Sequence, residues 1–219
     1  IENNGPLGTA DYGIQIRGSD AFANSGDITL ENVSVAGQYR AALLGIQRYT
    51  GLSSLTMTDV TLGGTTAAGT LSANAGGFGA LWLGAIGSAG VSDISLGNLV
   101  IDSLDPALRY ISNDTLLDVD ATGVSFEGVN GATATPAQNF AIEDRVNHKM
   151  DNVFPGQGLV TWKAGELFVT QNTAGIQHAI DIADANNTVN VDGTTYTEDL
   201  LIDKALKLTG HGTTLQSAG

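Results

Sequence analysis

Between Thr173 and Leu215 the apolar residues change period. Ile176, Ala179, Ile180 and Ala183 recur at helical intervals behind Thr173, the predicted N-cap, and Ala185-Asn186-Asn187 ends the run. The pattern then alternates: Val189 and Val191, a turn at Asp192-Gly193-Thr194, Leu200 and Ile202, a break at Asp203-Lys204-Ala205, and Leu206 and Leu208 before Gly210-His211-Gly212. Strands this short need lateral partners. Stacking each on the equivalent strand of a next turn, with the helix over the open end of the first, supplies them.

Alternation also governs residues 13–131, as a repeat with connecting loops of varying length. Segments 28–35, 55–62, 94–101 and 119–126 align at successive offsets of 27, 39 and 25 residues. In each, two apolar alternations flank Asn32, Asp59, Asn98 or Gly123, the residue types that best tolerate a left-handed backbone. The slot predicts a corner between two strands, with positive φ at Asn32, Asp59 and Asn98. A further strand precedes each copy, at 13–16, 42–46, 80–83 and 107–111. The glycine-rich segment 63–79 explains the long offset as a looped-out insertion, where a stack of this kind keeps its contacts.

From Ala132 the repeat stops. Residues 132–136 read as a linker, and Ile142, Val146 and Met150 predict a helix across 143–149. Segments 159–162 and 167–170 then read as a hairpin turning through 163–166.

The motifs Gly175-Ile176-Gln177, Ala179-Ile180-Asp181, Asn187-Thr188-Val189-Asn190-Val191, Gly193-Thr194-Thr195-Tyr196-Thr197-Glu198, Leu201-Ile202-Asp203-Lys204 and Leu208-Thr209-Gly210 resemble the opening cap of right-handed β-helix domains of the pectate-lyase-like superfamily. Phe140, the run Ile142-Glu143-Asp144-Arg145-Val146 and His148, followed by Gly158-Leu159-Val160-Thr161-Trp162 and Leu167-Phe168-Val169-Thr170, is similar to a junction between β-helix segments of very large secreted bacterial surface proteins. The resemblance covers Phe140 onward and implies an all-β, right-handed parallel β-helix (solenoid) with short capping and junction helices. Three parts follow: the last coils of one β-helix at 1–131, a junction at 132–172, and a cap helix with the first coil of a second β-helix at 173–219. Leu200, Ile202, Leu206 and Leu208 are then expected to present an unfinished core. With Ile1 in place of Met and no signal-like segment behind it, the chain reads as a fragment or a processed product.

Composition agrees with short strands and tight turns: 29 glycines, four prolines and 42% hydrophobic residues. The net charge of −14 disfavours nucleic acid and anionic membrane surfaces as partners. No apolar run approaches the ~20 residues of a membrane span, and the absence of cysteine removes disulfides and thiolate metal sites.

The chemistry the sequence offers is sparse. Glycosidases of this fold class use clustered, often adjacent aspartates, and no Asp-Asp pair occurs. Asp118 and Asp120 alternate on one predicted strand and face outward together. Lyase chemistry needs a base beside carboxylate-held calcium, and Arg109 lies far in sequence from any acidic cluster. Calcium at Asp114 or Asp192-Gly193 is not indicated, because no Asp-x-Asp-x-Asp-Gly loop occurs. His148, His178 and His211 lack ligand spacing, and the last two read as surface residues. Tyr39, Arg40, Trp82, Arg109 and Tyr110, with Arg48 and Tyr49, bracket the first strand of successive coils as a candidate ridge for a surface polysaccharide or a protein, with plain lateral packing as the other reading. No catalytic set, metal site or cofactor is assigned. The expected function is structural and adhesive, at the cell surface or extracellular, with neighbouring coils of this or another chain as partners. The alternatives are a carbohydrate-active enzyme fragment and a self-assembling filament subunit.

Overall fold

The computed structural model describes residues 2–3, 12–18, 25–37, 41–48, 51–64, 78–84, 93–102, 104–152 and 156–219. In chain order the first strands are β1 (Glu2–Asn3), β2 (Tyr12–Arg17), β3 (Ser25–Gly37), β4 (Ala42–Gln47), β5 (Gly51–Gly63) and β6 (Gly79–Gly84). Shorter ones follow: β7 (Asp93–Ser95), β8 (Val100–Asp102), β9 (Ile111–Asp114), β10 (Asp118–Asp120), β11 (Ser125–Phe126) and β12 (Val129–Asn130). Helix α1 (Pro136–Glu143), β13 (Val146–Asn147), β14 (Val160–Thr161) and β15 (Glu166–Val169) lead to helix α2 (Ile176–Ile182). The chain continues through β16 (Thr188–Val191), β17 (Thr195–Thr197), β18 (Lys207–Gly210) and β19 (Thr214–Gln216). The described chain is thus mostly strand with two short helices.

Strands assemble in the orders β1-β3-β5-β8-β11-β12, β2-β4-β6-β9-β13, β7-β10-β14, β15-β16-β18 and β17-β19. Among the described pairings all are parallel except β11 with β12. Parallel neighbours cannot be joined by a tight hairpin, so the chain leaves each sheet and visits another before returning. One ladder runs through Ile14, Leu44, Leu81, Ile111 and Val146. In the others Ile28 pairs with Leu55, Ile94 with Val119, and Val100 with both Thr61 and Ser125. The sequence repeat is therefore the pairing register: the offsets of 27, 39 and 25 residues are those between paired strands.

Asn32 and Asp59 take φ of 51° and 52°, and the ladder resumes on either side, Glu31 with Thr58 and Val33 with Val60. Each bends one long strand without breaking it. The third corner falls one residue early, on Gly97 with φ 55°, and Asn98 does not adopt positive φ. Glycine takes that conformation at lower cost than its asparagine neighbour, so the turn slips onto it and separates β7 from β8. Gly123 is required for another reason: a Cβ there would stand 2.3 Å from the Gly97 carbonyl oxygen.

Other expectations need correction. The fourth preceding strand starts at Ile111, not Ala107, because Asp105-Pro106 opens a turn closed by the Leu108 amide on the Asp105 carbonyl, 2.9 Å. The junction helix lies at 136–143 instead of 143–149: Thr135 and Gln138 form a capping box with Pro136 in the first turn, a start signal that outweighs the Ile142/Val146/Met150 spacing. Val146 instead enters the β9 ladder, and Lys149–Asp151 is one 3-10 turn. β14 and β15 do not pair as a hairpin. β14 joins β10 and β15 joins β16, both parallel.

Side chains on the inner faces form two apolar clusters. The first holds, among others, Leu44, Leu81, Ile94, Leu99, Val119, Phe126, Ile142 and Trp162. The second holds Met150, Leu167, Val169, Ile176, Ile180, Val189, Val191 and Tyr196. β15 is the wall between them, its alternate residues pointing opposite ways: Phe168 into the first, Leu167 and Val169 into the second. At the far side Leu200 and Leu206 are half-buried against the second cluster, while Leu201, Ile202, Leu208 and Leu215 are exposed.

α2 is not capped by Thr173. Its N-cap is Gly175, φ 114°, and the Glu198 carboxylate accepts from the Ile176 and Gln177 amides at 3.0 and 2.9 Å. A carboxylate on two orphan amides suits the positive end of a helix. Glu198→Ala is expected to cost about 1–2 kcal/mol, read as a lowered thermal midpoint, whereas Thr173→Val should leave the helix cap intact.

Candidate functional site

Of the proposed ridge, Tyr39, Arg40 and Tyr49 lie outside the described residues. The 65–77 part of the glycine-rich insertion lies outside them too. The remainder does not form one surface. Arg109 is exposed and its carbonyl accepts from the Ala80 amide at 3.0 Å. Tyr110 is only 5% exposed and points inward, a correction to the sequence reading. Arg48 is exposed and sits in a left-handed corner, its amide donating to the Gly84 carbonyl.

Trp82 does lie on the outer face, half-buried at the centre of an aromatic group. Its ring packs on Gly84, where a Cβ would meet it at 2.7 Å, and the Tyr12 ring likewise covers Gly45 at 2.8 Å. Phe78 stacks on Trp82 at 3.9 Å between centroids, and the Tyr12 ring stacks 6.0 Å away with its plane nearly parallel. The indole N–H donates to Asp114 Oδ2 at 2.8 Å, while Asp114 Oδ1 accepts from Gln157 and Asn147. Asp114, considered for calcium in the sequence, thus has three side-chain donors around it. The glycines under these rings are what flatten this face: without a Cβ the ring can rest on the backbone.

A second, half-buried knot centres on Arg145, and sequence spacing could not announce it. The Arg145 guanidinium donates to the carbonyls of Leu108 (2.7 Å) and Asp105 (3.0 Å) and to the Tyr110 hydroxyl (2.8 Å). It also pairs with Glu127 at 3.3 Å and stands 3.8 Å from the Tyr110 ring centre. Burial pushes the Tyr110 hydroxyl up to about 12; Arg145 opposes this and Glu127 adds to it. The hydroxyl stays protonated and donates to Glu127, so this group is a clamp and not an acid-base site.

Asp118 and Asp120 are exposed on either side of buried Val119, as the alternation predicts. They line a groove of about 570 Å³ together with Thr161, Glu166, Asp184 and Asn187. Pairing of β10 with β14 creates it from segments more than 40 residues apart, and nothing local in the sequence signals Glu166 or Asp184 as groove residues. Two residues apart on one strand, Asp118 and Asp120 have Cα atoms roughly 7 Å apart and project to the same side. Their oxygens already hold backbone: Asp118 Oδ1 accepts from the Leu159 amide at 2.7 Å, and Asp120 Oδ1 from the Thr122 amide and hydroxyl. Glu166 accepts from Asn190 and pairs with Lys163.

The histidines are more enclosed than their spacing suggests. His148 is fully buried, His178 is half-buried with its ring on the Lys149 carbonyl, and His211 is half-buried between Asn190 and the Phe140 ring. Among the described residues no group of three or more His, Cys, Asp or Glu could hold a metal ion, and no helix is long and apolar enough to cross a membrane. The chain matches no family model, no curated protein and no solved structure.

Proposed function

We propose that this chain is a stiff segment of a right-handed parallel β-helix, pectate-lyase-like in form, within a large secreted bacterial surface protein, and that its role is structural and adhesive. The observation that carries the reading is the in-register ladder Ile14–Leu44–Leu81–Ile111–Val146, whose backbone hydrogen bonds run along the stack and not across it. A chain that visits several sheets in turn and returns one layer further each time resists bending because every layer is bonded to the next. The break between apolar clusters at β15 supports two stacks, joined by the segment 132–172. A surface polysaccharide or a protein would meet the flank that carries Trp82.

The second reading, a glycan-cleaving enzyme, is favoured by the Asp118–Asp120 groove. One experiment separates them. The chain is incubated with a panel of neutral and acidic polysaccharides, released reducing ends and unsaturated uronates are assayed, and proteinase K resistance is followed in parallel. A rod yields no cleavage product and survives as a large core fragment. Product released by the native chain and abolished by Asp118→Asn would overturn the structural reading.

A further inference from the structure

The one buried ionisable pair outside the clamp, among the described residues, is Glu143 with His148, each 1% exposed. Glu143 ends α1 and His148 follows β13; their chain neighbours Ile142 and Val146 belong to the first apolar cluster and Met150 to the second. The ring nitrogens can be assigned from their partners. The Val160 amide, which can only donate, points at Nδ1 from 2.9 Å, so Nδ1 accepts and the ring proton sits on Nε2. Nε2–H then donates to Glu143 Oε1 at 3.1 Å. A second ring proton would face the Val160 N–H head on. Burial also disfavours it, while the Glu143 and Asp151 carboxylates pull the ring above its ordinary range; the Val160 N–H aimed at Nδ1 overrides that pull and keeps the ring neutral.

Glu143 Oε2 is left buried with no hydrogen-bond partner among the described residues. An ionised carboxylate with one bare oxygen and a neutral partner is a poor occupant of this position. The charged neighbours make it worse: Asp144 at the end of α1 and Asp151 on the next turn are both acidic, and Arg109 acts mainly on Asp151. Trp162 and Val160, on the strand side, carry no charge. Burial accordingly holds the Glu143 carboxyl above its ordinary range.

The turn that bears His148 is also the tie to the second cluster. The Lys149 carbonyl receives the His178 ring, the Met150 carbonyl receives the Ala174 amide at 2.9 Å, and the His148 amide is held by Asp151. We propose that Glu143 and His148 form a proton-operated latch between the two cores, closed while Glu143 carries a proton on Oε2 and loosened when that proton leaves. Because the folded chain holds this proton more tightly than the unfolded chain, closure is favoured on the acid side and weakens as pH rises through the folded-state titration of Glu143.

The test is amide hydrogen exchange by NMR between pH 5 and 8, corrected for intrinsic rates, read at Val160 and Ala174. In the native chain protection at both amides should fall with pH, by up to about 10-fold per unit between the ordinary carboxyl range and the folded-state titration of Glu143, the limit for one proton, and level off once Glu143 has ionised. Glu143→Gln, which keeps the acceptor and cannot ionise, should hold protection constant. Parallel pH profiles in the two proteins would overturn the latch. The Glu143 side-chain carbon resonance, titrated in the native chain, is an independent check that needs no variant: titration near the unperturbed value of about 4.3 would also overturn it.

Discussion

Arg145→Ala is expected to lower the unfolding free energy by about 2–4 kcal/mol, because it removes several charge-assisted hydrogen bonds from a half-buried group. The guanidinium is 15% exposed and leaves at least three acceptors behind: the Leu108 and Asp105 carbonyls, and Glu127. It also vacates the face of the Tyr110 ring. Lysine cannot substitute, because one ammonium cannot reach two carbonyls and a hydroxyl in a fixed fork while covering an aromatic face. Arg145→Lys should therefore lose about 2 kcal/mol or more, since only one charge-assisted bond survives. Arg109→Ala, on an exposed side chain, should stay within about 0.5 kcal/mol. Urea unfolding monitored by tryptophan emission reads all three; equal losses for Arg145→Ala and Arg109→Ala would show that the knot carries no special weight.

The contrast between these two arginines marks where the sequence stops being informative. Alternation placed the strands that carry Ile28, Leu55, Ile94 and Val119 in register, because a period of two with one face inward leaves a single pairing that buries every apolar residue. It located two corners through Asn32 and Asp59, but at the third it placed the turn on Asn98, whereas adjacent Gly97, which tolerates it at lower cost, takes it. It also paired the Val160 and Leu167 runs with each other, wrongly. Two alternating runs around a turn look alike whether they pair with each other or with separate neighbours, and here the neighbours win. α1 had a readable start signal in Thr135, Pro136 and Gln138, overridden by apolar residues whose helical spacing was accidental. The clamp and the groove were beyond reach: Arg145 and Tyr110 are 35 residues apart, and the groove draws on β10, β14 and β15 at once. Long-range sets of this kind are created by stacking, and stacking depends on loop lengths that no local pattern reports.

Gly158→Ala is expected to be the most damaging conservative change in the junction, at about 4 kcal/mol or more, in the tail reserved for backbone displacement and core disruption. A Cβ at this position would stand 1.9 Å from the Leu117 carbonyl oxygen and 2.8 Å from the Asp118 nitrogen, both backbone atoms that no rotamer change can move. Relief requires separating the two chain segments by roughly an ångström or more, the gap to an ordinary van der Waals contact. That would break the bonds that hold them: the Gly158 amide on the Thr115 carbonyl, the Asn113 side chain and the Lys149 amide on the Gly158 carbonyl, and the Leu159 amide on Asp118. Asn113 and Thr115 are buried, so their freed groups would find no water without further opening. At Gly156, two residues earlier, the Cβ that alanine adds would meet no atom within 4 Å, and Gly156→Ala should change stability by less than about 0.5 kcal/mol, or raise it slightly through the unfolded state. Thermal unfolding of the two variants side by side therefore separates close approach from loop entropy. A small loss for Gly158→Ala would mean that β10 and β14 can part without cost, and the parallel ladder that forms the groove would not be the continuous brace its hydrogen bonds describe.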